Sequence, residues 1–245
     1  TVLNEIKRLV KTNYDKDIEF EKIQFNDKNV FKMLSNGDTI GVFQFNTWPT
    51  TRLLKEIKVN SLEDMSDINA LVRPGPSDSG MTAQYRERKH TRKWKKKHPI
   101  YERITKNTFG IIVYQEQVMQ VIVELAGLPY STSDKIRKII AKKSDVKEFN
   151  EYKQLFMDGC KTNKTLSEQE ASDFWDMLEK HANYSFNLSH STAYSMLAYW
   201  CAYCKIFYPA EFICANLTYG SQSKKEEIVK EAYRLGLKLI LPKDD

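Results

Sequence analysis

Eight lysines and arginines crowd into the twelve residues Arg86–Lys97. Arg86, Arg88, Lys89, Arg92, Lys93, Lys95, Lys96 and Lys97 face one acid there, Glu87. The window carries +7 while the 245-residue chain sums to +6, which leaves −1 for everything else. The positive charge is therefore a local patch. Such a patch suits a phosphate-rich partner, because each neutralised phosphate releases condensed counterions. A solvated basic loop has the same composition.

A second cationic site lies in IRKIIAKKSD. At 100° per residue Lys135, Lys138 and Lys142 share one helical stripe, with Ile136, Ile139 and Ile140 on the other side. Arg137 sits at the boundary and Lys143 at the helix end. Two readings stand: a solvated face with snorkelling lysines, or a clamp for a triphosphate or a phosphate backbone. FNLSHSTAYS places Asn187, Ser189, His190, Ser191 and Thr192 beside an apolar run. These residues suit either N-capping or a polar lip that orients bases, sugars or phosphates. Asp15-x-Asp17 has carboxylate-pair spacing, but its lysine-rich polar flanks mark a solvated turn. Cys201-x-x-Cys204 is embedded in SMLAYWCAYC without a second pair or zinc spacing, which marks it as core. No phosphate-loop or dinucleotide fingerprint occurs.

The elements that must position these residues are mostly helical. Thr1–Lys11, Asn26–Leu34, the stretch after Ser61–Asp64, Ile111–Ala126, Thr192–Phe207, Ala210–Leu217 and Lys224–Leu235 all read as helices. STSD caps KIRKIIAKK, and SEQE forms a capping box for DFWDMLEKHA. Asp38–Phe45, rich in β-branched and aromatic residues, is the strand candidate, and GLKLILP a second one. RPGPSDSG reads as a rigid, exposed loop. The expectation is a mainly α chain with a minor β element near the N-terminus.

Composition narrows the class. With 41% hydrophobic and 29% charged residues, the chain is an ordinary globular protein with enough length for a substantial core. Ala182–Cys204 has no Asp, Glu, Lys or Arg, but polar residues interrupt it and its apolar part is far short of the roughly 20 residues a span needs. Four cysteines in a chain this long make no disulfide framework, so a reducing cytoplasm and no membrane are expected. No signal peptide is evident and residue 1 is Thr, so a processed, trimmed or fragment start is expected.

In order along the chain stand GVFQF (Gly41–Phe45), DINALVRPGP (Asp67–Pro76), SGM…Y…RKH (Ser79–His90), FGIIVYQEQVMQV…LAG (Phe109–Gly127), FNLSH…AY (Phe186–Tyr194) and YPAEF (Tyr208–Phe212). This series resembles the fingers region of the bacterial C-family replicative DNA polymerases, the alpha subunit of DNA polymerase III, nearly end to end. The resemblance implies a multi-helix fingers domain over 36–220, preceded by the end of a palm-like region over 1–35 and followed by a further segment over 221–245. It implies DNA-directed DNA synthesis in replication, with nucleotidyl transfer between two metal ions. The implied partners are primer–template DNA, deoxynucleoside triphosphates, the palm and thumb, a sliding clamp and other replisome proteins.

Residue by residue, the resemblance puts Arg137, Lys138, Lys142 and Lys143 at the incoming triphosphate. Arg73 falls in the matching RPGP element, and Asn187, Ser189 and His190 fall in the family's N-K-S-H. Gln44 lies in the FQ element and Gln115 and Gln117 in YQEQ, on the DNA side. Asp27 falls where the family has paired aspartates, one of them a palm carboxylate that ligates metal. Most of the Mg²⁺ would be held by palm residues outside this chain, whose D-x-D should precede residue 1, so the chain alone should be inactive. The basic run, with Arg88, Lys89, Arg92, Lys93, Lys95, Lys96 and Lys97, becomes a DNA-facing surface. Trp94 within it either stacks on an unpaired base, at roughly 1–3 kcal/mol, or covers an apolar spot on its own domain. The sequence departs from the family at Asn26, Asn46, Asn183, Ser185 and Leu188. These departures suggest a divergent member, perhaps phage-encoded, and keep two alternatives open: a non-catalytic DNA-binding remnant, or a basic adaptor for an acidic protein.

Overall fold

The computed structural model describes residues 1–142 and 146–240. Among them are fourteen α-helices. The first four are α1 (Val2–Tyr14), α2 (Lys28–Asn36), α3 (Trp48–Ile57) and α4 (Leu62–Leu71). Next come α5 (Pro74–Asp78), α6 (Met81–Thr91), α7 (Pro99–Ile104), α8 (Gln115–Ala126) and α9 (Tyr130–Lys142). The last five are α10 (Val146–Thr162), α11 (Glu168–Ala182), α12 (Leu188–Phe207), α13 (Pro209–Tyr219) and α14 (Lys225–Arg234).

The chain forms two compact units, one of Thr1–Asn69 with the chain from Thr192 onward, the other of Ala70–Ser191. In the first unit α1 packs on α13, α2 on α3, and α13 on α14. Ile6 and Val10, one turn apart, are the buried stripe of α1. Cys201 and Cys204 are buried free thiols, and burial pushes the Cys201 thiol up to about 11. That is core behaviour, as their apolar setting predicts.

Asp38–Phe45 is not a strand. It is a series of turns, with Val42 N bonded to Thr39 O and Phe45 N to Val42 O. Gly41 and Gln44 take positive φ of 78° and 63°, which no extended ladder accommodates. The carbonyls of Asp38 and Ile40 are satisfied instead by the ammonium of Lys205, at 3.2 and 2.9 Å. Gly236–Ile240, the described part of the second strand candidate, is also not a strand.

In the second unit α8 packs against α7, α9 and α10, while α11 packs against α9 and α10. Val118, Val121, Ile122 and Leu125 of α8 meet Ile136, Ile140, Phe156, Trp175 and Leu178 in one apolar core. Ser167 and Glu170 form the expected box at α11, each side chain accepting the other residue's backbone N–H. Helix α9 starts before the expected STSD cap, at Tyr130, because Pro129 O already accepts the Ser133 N–H. The RPGP stretch is a helix and not an exposed loop. Pro74 is its first residue, where a missing N–H costs nothing, and Pro76 is buried. A Cβ on Gly75 would lie 2.5 Å from the Tyr184 ring, so only glycine fits there.

Candidate nucleic-acid interface

The basic run begins in the last turns of α6 and leaves the helix at Arg92, which ends it with φ 57°. Its charges divide into two groups. Lys89 is buried, its ammonium 5.6 Å from the centre of the Phe109 ring. Arg88 donates to the carbonyls of Phe109 and Gly110 at 3.3 and 3.1 Å. These two expected DNA contacts therefore serve the fold. Met81, Tyr85 and Lys89 recur every four residues, so Lys89 falls on the buried face of α6. Arg92, Lys93, Lys95, Lys96 and Lys97 are exposed, and Lys93 and Lys95 have no ion pair among the described residues.

What holds this exposed segment is a carboxylate beyond the run. Glu102, on α7, accepts the Trp94 indole N–H at 3.0 Å and the Lys97 backbone N–H at 2.9 Å, with the Lys96 ammonium at 3.5 Å. Trp94 is half-buried, and its indole nitrogen would be 2.3 Å from any Cβ at Gly110. The Lys96 ammonium lies 3.3 Å from the ring centre. Trp94 thus covers its own domain and does not project for base stacking. Phe109 takes φ 57°, a conformation that costs roughly 1–2 kcal/mol for a non-glycine residue. Tyr85, Trp94, Lys89 and Arg92 surround its ring.

On α9 the expected phosphate ligands share one acid. Asp134 Oδ1 accepts Arg137 Nε and a terminal guanidinium nitrogen at 3.2 and 2.9 Å, and Oδ2 lies 2.6 Å from Lys138 Nζ. Those hydrogen bonds, Lys138's first, hold the Asp134 carboxyl below the usual range. Lys142 is exposed at the end of α9. Lys143 lies outside the described residues.

The third group surrounds the start of α12. Phe186 pairs with Tyr114 in an isolated parallel bridge: its N–H donates to Val113 O at 3.0 Å, and its carbonyl accepts Gln115 N–H at 2.9 Å. Arg73 donates to Ala70 O at 2.9 Å and Tyr184 O at 2.6 Å, with its guanidinium 4.6 Å over the Phe186 ring. Burial lowers its pKa from the ordinary value. Arg73 is thus a strut for the Tyr184–Phe186 loop. Glu116 accepts Asn187 Nδ2 at 3.2 Å and Leu188 N at 3.0 Å, and Asn187 Oδ1 accepts His190 N at 2.8 Å. Asn187, Ser189 and His190 are exposed on this frame. Asn187 therefore both caps a helix and belongs to an exposed polar lip. The acids Glu102, Glu116 and Asp134 carry the geometry of all three groups, and reading for cations passes over them.

The remaining candidates divide similarly. Gln117 is fully committed inside: its oxygen accepts Val113 N–H and Tyr114 N–H at 2.8 and 3.0 Å, and its nitrogen donates to Thr108 Oγ1 at 2.8 Å. It therefore has a part in the fold. Gln115 is half-buried and Gln44 exposed. Asp27 is the N-cap of α2, with Oδ1 accepting Asn29 N and Val30 N at 2.8 and 3.2 Å. Among the described residues, no three His, Cys, Asp or Glu side chains group as metal ligands. The described residues by themselves group no magnesium ligands, and Asp27 Oδ1 serves as a cap. Among the described residues, no helix is long and apolar enough to cross a membrane.

The second unit thus brings an exposed cationic segment, a cationic helix and a framed polar lip onto a helical frame. Residues 1–164 match the family described as the bacterial DNA polymerase III alpha subunit finger domain, and the chain belongs to that family. It is 36% identical to the DNA polymerase III subunit alpha of Campylobacter jejuni over 99% of this chain and 20% of that protein. The Aquifex aeolicus protein of the same name is 38% identical over 99% of this chain and 21% of its own length. That of Thermus aquaticus is 35% identical over 99% and 20%. The chain spans about a fifth of the length of these relatives.

Proposed function

We propose that this chain is the part of a replicative DNA polymerase that receives the incoming deoxynucleoside triphosphate and follows the primer–template backbone. The carrying observation is the exposed segment Arg92–Lys97, whose five cations extend from a strand of chain pinned by Glu102. Arg137, Lys138 and Lys142, with Lys143, meet the triphosphate. Asn187, Ser189 and His190 orient the nucleotide, and Arg73 supports them through Tyr184 and Phe186. Gln44 and Gln115 are the remaining DNA-side groups. Divalent cations neutralise the phosphates and activate the attacking hydroxyl in such transfers; they are assigned to palm carboxylates outside this chain, so the isolated chain binds without polymerising. A cytoplasmic replication site goes with this role.

Fluorescence anisotropy of a primed template, recorded as salt is raised, tests the reading. Five backbone contacts on duplex give a slope of about −4.5 in log K against log salt. Replacing Lys93 and Lys95 with alanine lowers the slope by about 2 and weakens binding equally across sequences. A flat salt response removes the DNA role and leaves a basic surface meant for a protein.

A further inference from the structure

We infer that Asp134 acts as a built-in competitor for phosphate, holding in the unliganded chain the two cations that a triphosphate must recruit on α9. The inference rests on the triphosphate reading of that helix. Arg137 and Lys138 are three and four residues after Asp134 and both reach back to it, so the three groups form one closed cluster on a single turn. Both carboxylate oxygens are used, Oδ1 by Arg137 and Oδ2 by Lys138. Each therefore stands where a phosphate oxygen would accept the same bond. The cluster carries a net charge of +1 where its cations alone carry +2.

Position supports exchange over permanent structure. The Lys138 side chain is 56% exposed and Asp134 30%, so solvent and ligand reach the pair, whereas Arg137 is only 15% exposed and is fixed against the helix. A buried structural ion pair would hide both partners, as Lys205 and Glu231 do at 1% each. The contrast with Lys93 and Lys95 is functional: those lysines can meet a phosphodiester without giving up an ion pair, while α9 cannot. A dianionic or more highly charged terminal phosphate can displace one carboxylate from two cations; a singly charged phosphodiester competes less well. Asp134 thereby favours a triphosphate over stray DNA backbone at this helix.

The test measures binding of inorganic tripolyphosphate, dATP and a short oligothymidylate to the 245-residue chain and to Asp134→Asn and Asp134→Ala. Removing two partly exposed ion pairs should tighten tripolyphosphate and dATP about three- to tenfold, with an equal or larger gain for the oligonucleotide, so that the preference for triphosphate narrows. Unchanged or weaker tripolyphosphate binding in both variants overturns the inference and makes Asp134 a positioning residue for Arg137. A gain confined to the oligonucleotide also overturns it. The unmutated chain supplies a control that needs no variant: tripolyphosphate must shift the carboxyl carbon resonance of Asp134 as its cations are drawn away, and an unmoved resonance overturns the inference. The double variant Arg137→Ala/Lys138→Ala separates the two levels. If it binds tripolyphosphate as the unmutated chain does, the triphosphate reading of α9 itself fails; if it binds more weakly while the Asp134 variants show no gain, only the competitor role fails.

Discussion

Gln117 uses both ends of its carboxamide inside the fold. Val113 and Tyr114 are buried just before α8, where helical N–H groups are unpaired, and the Gln117 oxygen accepts both. Thr108 takes the amide nitrogen. Truncating one side chain would strand two buried donors, and each stranded group costs about 1–3 kcal/mol. Gln117→Ala should therefore lower unfolding free energy in urea by about 2–6 kcal/mol, whereas Gln115→Ala stays within about 0.5 kcal/mol. Equal effects would show that the Gln117 bonds do not hold this turn. The YQEQ spelling marks both glutamines without distinguishing them. The difference is one of helix phase and capping position, with Gln117 third after the N-cap Tyr114. Phase puts Lys89 with Tyr85 on the buried face of α6, whereas Lys93 follows the helix end at Arg92; the four-residue spacing was available to be read. Direction of reach was not: that Arg88 turns toward the Phe109 carbonyl depends on a segment twenty-one residues away.

Whole elements were legible where a cap or a period marks them. Asp27 begins α2, Ser167 and Glu170 begin α11, and each has a local physical reason. Asp38–Phe45 misleads because its β-branched and aromatic residues fit turns packed on a helix as well as strands, and a lysine 167 residues away supplies the missing donor. Helix α11 carries a consequence for pH. His181, in its last turn, is pushed down from 6.5 to about 4, by burial first and then by the charges of Lys180, Lys97 and Arg88. A base with a lowered folded pKa destabilises the fold as it protonates in the unfolded state first. Full stability is present above the ordinary pKa of 6.5 and declines from there toward pH 4. The loss approaches about 1.4 kcal/mol per pH unit over that interval. In urea titrations across pH 4.5–7.5, His181→Leu should lack this part of the acid slope. Parallel slopes for the two proteins would mean that His181 stays hydrated enough to titrate normally.

At the scale of the molecule, the candidate DNA and triphosphate groups other than Gln44 and Asp27 belong to the unit Ala70–Ser191, while the first unit carries a different kind of polar core. Lys205 and Glu231 are paired at 2.8 Å with their side chains almost wholly enclosed. Burial lowers the pKa of Lys205 foremost. Burial also works to raise that of Glu231, but hydrogen bonds from Arg234 and Lys205 outweigh it and leave the carboxyl lowered. Lys205 further carries the carbonyls of Asp38 and Ile40, so one ammonium joins α12, α14 and the turns that replace the expected strand. Removing it leaves a buried carboxylate with Arg234 alone and two carbonyls unpaired, at about 3–5 kcal/mol. All of its described partners lie in the first unit, so the damage should stay there. By hydrogen exchange, Lys205→Met should lose protection in α14 and at the amides of Val42 and Phe45, while α8 keeps its own. Equal loss in α8 would mean that the units open together, and the stability of α8 would then depend on the Lys205–Glu231 pair.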